Sequence, residues 1–332
     1  MAPSPTHSSP NCWVITDGSA GMENQCVGLA EAMKLSFTVK RIKTTKPWKR
    51  LPPHLWISPL SRLTKQSDSL TPPWPDIIIS CGRQAIPMSR AIRKASNGNC
   101  FTIHIQTPNT SIRDFDLVIV PEHDRLRGEN VLVSYGSLTR INAEKLESEK
   151  EKFSDQLAGL KSPVVTVLVG GKNRCYEMGE STMSALCTDL KSLQSNSGCF
   201  FLVTASRRTG EVNTEKLKET LQELPHIFWN GVGANPYFAF LEKADAVVVT
   251  ADSVNMVSEA ATAGKPVYVY PLPGGNRKFN AFHKSMQDRG YTRPFEPRLE
   301  NWSAPSLNET PRMAGIAMEK FKIHSKKRDL AK

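Results

Sequence analysis

The chain has 332 residues, enough for two α/β domains of about 150 residues each. Apolar residues make up 39% and charged residues 23%, ordinary for a folded chain, and no apolar run reaches the roughly 18 residues of a membrane span. The net charge of +11 favours anionic partners such as phosphate-bearing ligands or an acidic membrane surface, and with no RNP-type or zinc-finger motif it does not call for nucleic acid.

Residues 1–11 are rich in Pro and Ser and read as a short disordered leader, not a secretory signal. Strand and helix patterns then alternate. Residues 13–16 are a short strand and 23–35 a helix with Val27, Leu29, Ala30 and Met33 at helical spacing. Residues 37–42 are a second strand, followed by a Pro/Trp-rich loop to Pro75. The β-branched run 76–80 is a buried-type strand, Gly82 opens a helix to Ala95, and 100–105, 116–120 and 131–134 are further strands. Residues 143–162, dominated by Glu and Lys, read as a linker helix. The alternation restarts with strands at 164–169, 200–204, 227–229, 246–250 and 266–270. Helices are expected at 178–194, 213–224, 237–243 and 253–263, and a basic amphipathic helix at 311–325. This pattern predicts an α/β fold of two Rossmann-like domains, 12–142 and 163–310, facing each other across a cleft, with 311–332 as a basic C-terminal helix and tail. The seven cysteines show no CxxC pair and no zinc spacing, so buried free thiols in a reducing cytosol are expected, and no metal.

The most informative string is AVVVTADSVNMVSEAATAGKPVYVY, residues 246–270. A buried strand delivers the chain into a helix whose start, with its free N–H groups and positive dipole end, suits a phosphate. Asp252 or Ser253 can cap that helix, Val254 lies at its start, and Glu259 stands two turns inside. Strand, small-residue turn, helix with Ser-Glu, Gly-x-Pro and strand resembles the donor site of glycosyltransferase-B enzymes, especially the UDP-N-acetylglucosamine transferases of peptidoglycan synthesis. The resemblance implies that Glu259 holds a nucleotide ribose and that Gly170-Gly171 is the glycine loop. Glycines there let backbone N–H groups approach a phosphate. Of Arg207 and Arg208, at the end of another strand, Arg207 is favoured as the diphosphate ligand. Asn276 falls in the region that touches the sugar, and His283 is either a cleft residue or structural.

In the first half, Asp17 is a candidate general base for an acceptor hydroxyl, with Glu23, Asn24 and Gln25 as acceptor ligands. The same string also reads as a plain turn capped by Ser19 or Asn24. Arg83 is a second acceptor-side candidate and His123, between Glu122 and Asp124, an acid or base candidate. Residues 40–65 carry eight Lys and Arg and no Asp or Glu, interleaved with Trp48 and Trp56. They read either as a patch for an anionic bilayer or as a loop packed by its own aromatics.

GMENQCVGLAEA (21–32), PDIIISCGRQ (75–84), FDLVIVPEHD (115–124), SRRT (206–209), VVTADSVNMVSEAATAGKPVYV (248–269), FHKSMQDRGYTRPF (282–295) and WSAPSLNET (302–310) together resemble the Elongated Mitochondria fission-protein family. PEHDRLRGENVLVSYG is similar to its bacterial branch. The resemblance covers nearly the whole chain after the leader. It implies a glycosyltransferase-B-like fold, and in plants the recruitment of a dynamin-related protein to the mitochondrial surface. It transfers no catalytic residue. The leading expectation is a cytoplasmic glycosyltransferase, peripheral at the inner face of the cell membrane. It would move a sugar from a UDP- or GDP-sugar to a lipid- or envelope-linked acceptor, with no cofactor. The alternative is a non-catalytic scaffold of the same fold that recruits protein partners at a membrane surface.

Overall fold

The computed structural model describes residues 10–330; the proposed leader, apart from its last two residues, lies outside them. The chain forms two compact units. The first comprises residues up to 134 together with 138–140 and the segment from 308 onward, and the second comprises 135–137 and 141–307.

In the first unit, β1 (Asn11–Thr16), α1 (Ala20–Ala32) and β2 (Ser36–Arg41) are followed by β3 (Ile77–Cys81), α2 (Ala85–Ala95), β4 (Phe101–Ile105), β5 (Leu117–Pro121) and β6 (Val131–Ser134). The strands pair in parallel in the order β2-β1-β3-β4-β5-β6. β3 and β4 are buried along their whole length, as expected of central parallel strands covered on both faces. Asn11, expected in the leader, is already the first residue of β1 and pairs with Ser36.

The second unit contains α3 (Ala143–Lys152), α4 (Ser154–Leu157), β7 (Val164–Val169), α5 (Glu180–Ser197), β8 (Phe200–Ala205), α6 (Glu211–Leu221) and β9 (His226–Trp229). It continues with α7 (Tyr237–Lys243), β10 (Ala246–Thr250), α8 (Val254–Thr262), β11 (Val267–Tyr270), α9 (Arg277–Asp288) and β12 (Thr292–Pro294). These strands are also parallel, in the order β12-β11-β10-β7-β8-β9. Gly264, at φ +70°, ends α8 in the left-handed conformation that glycine adopts without penalty. The segment 143–162 is more than a spacer: Leu146 enters the core cluster of α8 and β10, and Phe153 and Leu157 a cluster beneath α7.

The last helix, α10 (Glu309–Leu330), belongs to the first unit. Its Met313, Ala314, Ala317 and Phe321 recur on one face and pack into the core beside Val27, Leu29 and Ala30 of α1. α1 is therefore buried on more than one side. At Gly28 an added Cβ would lie 2.1 Å from the carbonyl oxygen of Thr139, so only glycine fits that approach. All seven cysteines are free thiols and six of them are buried. No helix among the described residues is long and apolar enough to cross a membrane.

Candidate functional site

In each sheet two neighbouring strands send their following connections in opposite directions. A crevice opens beyond the carboxyl ends of strands at such a switch point. In the second unit it lies between β7 and β10, where the glycine turn meets the start of α8. Ser253 is the helix cap, its Oγ accepting from Met256 N at 3.3 Å. Asp252, the other capping candidate, has a fully buried side chain inside the turn. Its Oδ1 accepts from Thr250 Oγ1 at 2.7 Å, and its Oδ2 from Gly171 N at 3.0 Å and Arg208 Nη2 at 2.5 Å. Gly170 N donates to Thr250 Oγ1 at 2.7 Å. The Gly170 and Gly171 amides are thus spent within the protein, which corrects their assignment as a phosphate cradle. These glycines answer to packing: a Cβ would sit 2.1 Å from Asp252 Oδ1 at position 170 and 2.1 Å from Arg208 O at position 171. Ser206 and Thr209 donate to Gly170 O at 2.9 and 2.5 Å.

Arg208 is consumed by this lock. Arg207 is exposed and has no carboxylate partner among the described residues. The same is true of Arg174, after β7, and Arg277, at the start of α9. The loops that carry the three are bonded to one another. Gly275 N donates to Cys175 O at 2.6 Å, Glu177 N to Pro273 O at 3.0 Å, and Lys172 N to Arg208 O at 3.2 Å. Sequence reasoning passed over Arg174 and took Arg277 only as part of the string that begins at Asn276. Asn276, expected to touch a sugar, caps α9 instead, its Oδ1 accepting from Lys278 N and Phe279 N.

Glu259 lies on α8 with 6% of its surface exposed, and Oε2 accepts from Tyr237 Oη at 2.6 Å. Burial raises its carboxyl from 4.5 to about 7, against the lowering effect of the Tyr237 hydroxyl. Burial beside this carboxyl also pushes Tyr237 well above its ordinary value, so it stays a donor. A ribose would meet a carboxylate already covered by one phenol. His283 donates from Nε2 to Ala251 O at 2.8 Å, and burial lowers its pKa; it holds the end of β10 in place as a neutral ring.

In the first unit, Asp17 follows β1 and lines a cavity of about 400 Å³. Most of the other candidates there have structural partners. Glu23 takes both Arg41 Nε and Nη2, at 2.8 and 2.7 Å. Gln25 is buried and donates to Gly21 O at 3.2 Å, while Asn24 is half-buried on α1. Arg83 Nη2 donates to the carbonyls of Arg50 and Leu51 at 2.7 and 2.8 Å, pinning the Pro/Trp-rich loop. His123 Nε2 stands 3.9 Å from Asp124 Oδ1 with 11% of its side chain exposed, away from the loop of Asp17 in sequence. The tryptophans pack within the loop. Trp56 is buried with its Nε1 donating to Leu51 O, and Trp48 packs against it at 6.0 Å under the Arg62 guanidinium. The large apolar side chains this loop exposes are Leu55 and Ile57. Among the described residues no three His, Cys, Asp or Glu side chains come together as metal ligands.

The sequence matches the family model described as mitochondrial fission ELM1 over residues 20–321. It is 28% identical, over 379 aligned residues, to the mitochondrial fission protein ELM1 of Arabidopsis thaliana, with 91% of this chain and 88% of that protein covered. The fold is similar to the UDP-GlcNAc 2-epimerase of Methanocaldococcus jannaschii, with a TM-score of 0.52, 10% identity, and 93% of this chain and 99% of that one covered. It is also similar to a UDP-glucosyltransferase of Polygonum tinctorium, with a TM-score of 0.50, 11% identity, and 97% and 94% covered. These likenesses identify the architecture as two Rossmann-like units of the glycosyltransferase-B type.

Proposed function

The chain belongs to the mitochondrial fission ELM1 family, and from that premise we propose that it is a glycosyltransferase whose second unit binds a nucleoside-diphosphate sugar. The observation that carries this reading is the set of three unpaired guanidiniums, Arg174, Arg207 and Arg277, on mutually bonded loops around the start of α8. A diphosphate is the ligand such a set suits, because guanidinium forks match phosphate oxygens and the helix dipole adds to them. The architecture favours the sugar nucleotide over a plain diphosphate, since the two similar structures are named for UDP-sugar chemistry. In the transfer, the bond from the anomeric carbon to the diphosphate breaks as the acceptor oxygen attacks. The acceptor oxygen gives up its proton to a general base as the new bond forms, and the arginines take up the charge of the departing diphosphate.

The test is calorimetric titration with UDP-N-acetylglucosamine, UDP-glucose and GDP-mannose at pH 8. Arg207→Ala is expected to weaken the preferred donor about tenfold, the value of one charge-assisted contact. Absence of heat with all three donors would leave the scaffold reading. Two observations favour that second reading: the spent amides of the glycine turn and the Tyr237 hydroxyl over Glu259.

A further inference from the structure

The first unit has a switch point of its own, between β1 and β3. The cavity lined by Asp17 lies there. Its other walls are Ser19 from the same turn, Gln84 from the loop after β3, Lys43, Thr44 and Lys49 from the segment after β2, and Thr64 and Gln66. Ile42 is the one apolar residue among them. At about 400 Å³ it is the size of a small-molecule site.

The far wall comes from a long excursion after β2 that returns to the strand it left. Thr64 N donates to Lys43 O at 2.9 Å, Ser67 Oγ to Lys43 O at 2.6 Å, and Asp68 N to Arg41 O at 3.0 Å. The excursion carries only three short 3-10 helices, Trp48–Arg50, Pro53–Leu55 and Pro59–Arg62, and long connections of this kind are uncommon in compact domains and usually functional. The arrangement of charge is unusual. Lys43 Nζ meets only the Gln66 amide oxygen, at 3.3 Å, and Lys49 has no partner among the described residues. Asp17 has no cation partner among them, and its one bond is from Ser19 N to Oδ1 at 3.0 Å. Opposite charges share one cavity without neutralising each other.

We propose that this cavity binds an anionic polyol, a phosphorylated or carboxylated sugar, with Lys43 and Lys49 on the anion and Asp17 on a hydroxyl. An ammonium needs an anion and a free carboxylate oxygen needs a proton donor, and a sugar acid supplies both in one molecule. Thr44 Oγ1 donates to Gln84 Oε1 and Gln66 Oε1 accepts from Lys43, which leaves the amide nitrogens of Gln84 and Gln66 for further hydroxyls. The binding does not depend on the glycosyltransferase reading.

The experiment is calorimetric titration of the full chain, without nucleotide and at low salt, with glucose 6-phosphate, glucuronate and uncharged glucose. One or both anionic sugars bind, and which of them binds names the anion; glucose binds at least tenfold more weakly. The Lys43→Gln/Lys49→Gln double variant loses at least tenfold in affinity for the anionic sugar, and Asp17→Asn weakens it as well. Both changes are on accessible side chains, and unchanged melting temperatures exclude a folding defect. The proposal is overturned if neither anionic sugar binds, if glucose binds equally well, or if the double variant binds undiminished. Binding of UDP-sugars is measured separately. Anionic-sugar binding without donor binding keeps the cavity and removes the transferase, and the reverse removes only the cavity.

Discussion

Asp252→Ala is expected to destabilise the second unit by about 3 kcal/mol, at the lower end of the cost of removing one partner from a buried ion pair. The lower end applies because Arg208 is 45% exposed and can turn to water, whereas the carboxylate has no exposure at all. The change leaves the Gly171 amide without its acceptor and the Thr250 hydroxyl without the oxygen to which it donates. It also opens the space that forbids a Cβ at Gly170. Urea unfolding followed by circular dichroism measures the loss. Asp252→Asn, which keeps an oxygen for one of the donors, should lose less. A change below about 1 kcal/mol for the alanine variant would mean that the turn is held by something other than this carboxylate.

The second large effect is a dependence of stability on pH. Burial lifts the Glu259 carboxyl from 4.5 to about 7, so between these values the native chain retains a proton that the unfolded chain has released. Stability from this group is complete below about pH 4.5, falls as pH rises through about 7, and is then flat. The total is on the order of 3 kcal/mol. Glu259→Gln keeps an acceptor for the Tyr237 hydroxyl but cannot ionise. Its unfolding free energy should therefore lie on a flatter curve and exceed that of the parent at pH 8. Urea unfolding at pH 5, 6, 7 and 8 makes the comparison. Parallel curves would show that Glu259 is ionised in the native state at all four values.

The long β-branched runs made the sheets readable. IIIS after Asp76, VVTVLV and AVVVT allow no solvent-facing alternation, so parallel strands covered on both faces were the natural inference. α9 was less visible because it follows Pro271, Pro273 and two glycines. Its signal was present in the Asn276 cap and the spacing of Phe279, Phe282 and Met286. The site was legible as a place but not in its bonding. Residues 170–171, 206–209 and 250–253 do converge, yet the same small and polar residues that suit an anion also suit an internal lock. Spacing along a chain cannot tell which N–H group a carboxylate from 81 residues away has already taken. For Trp48 and Trp56 the basic neighbours suggested a bilayer. In the structure the Pro-stiffened loop packs both rings into or against the cluster that holds Ile42 and Ile78.

The placement of α10 has a consequence for biosynthesis. The sheet made first lacks one of its covering helices until residues 313–321 have been made, because Met313, Ala314, Ala317 and Phe321 complete its core. The second unit, encoded later, has every one of its strands by Pro294 and its last residue at Leu307, so it needs nothing from beyond that residue, whereas the earlier sheet does. A chain truncated after Leu307 should therefore expose the apolar faces of α1 and β4 to chaperones while carrying every residue of its second unit.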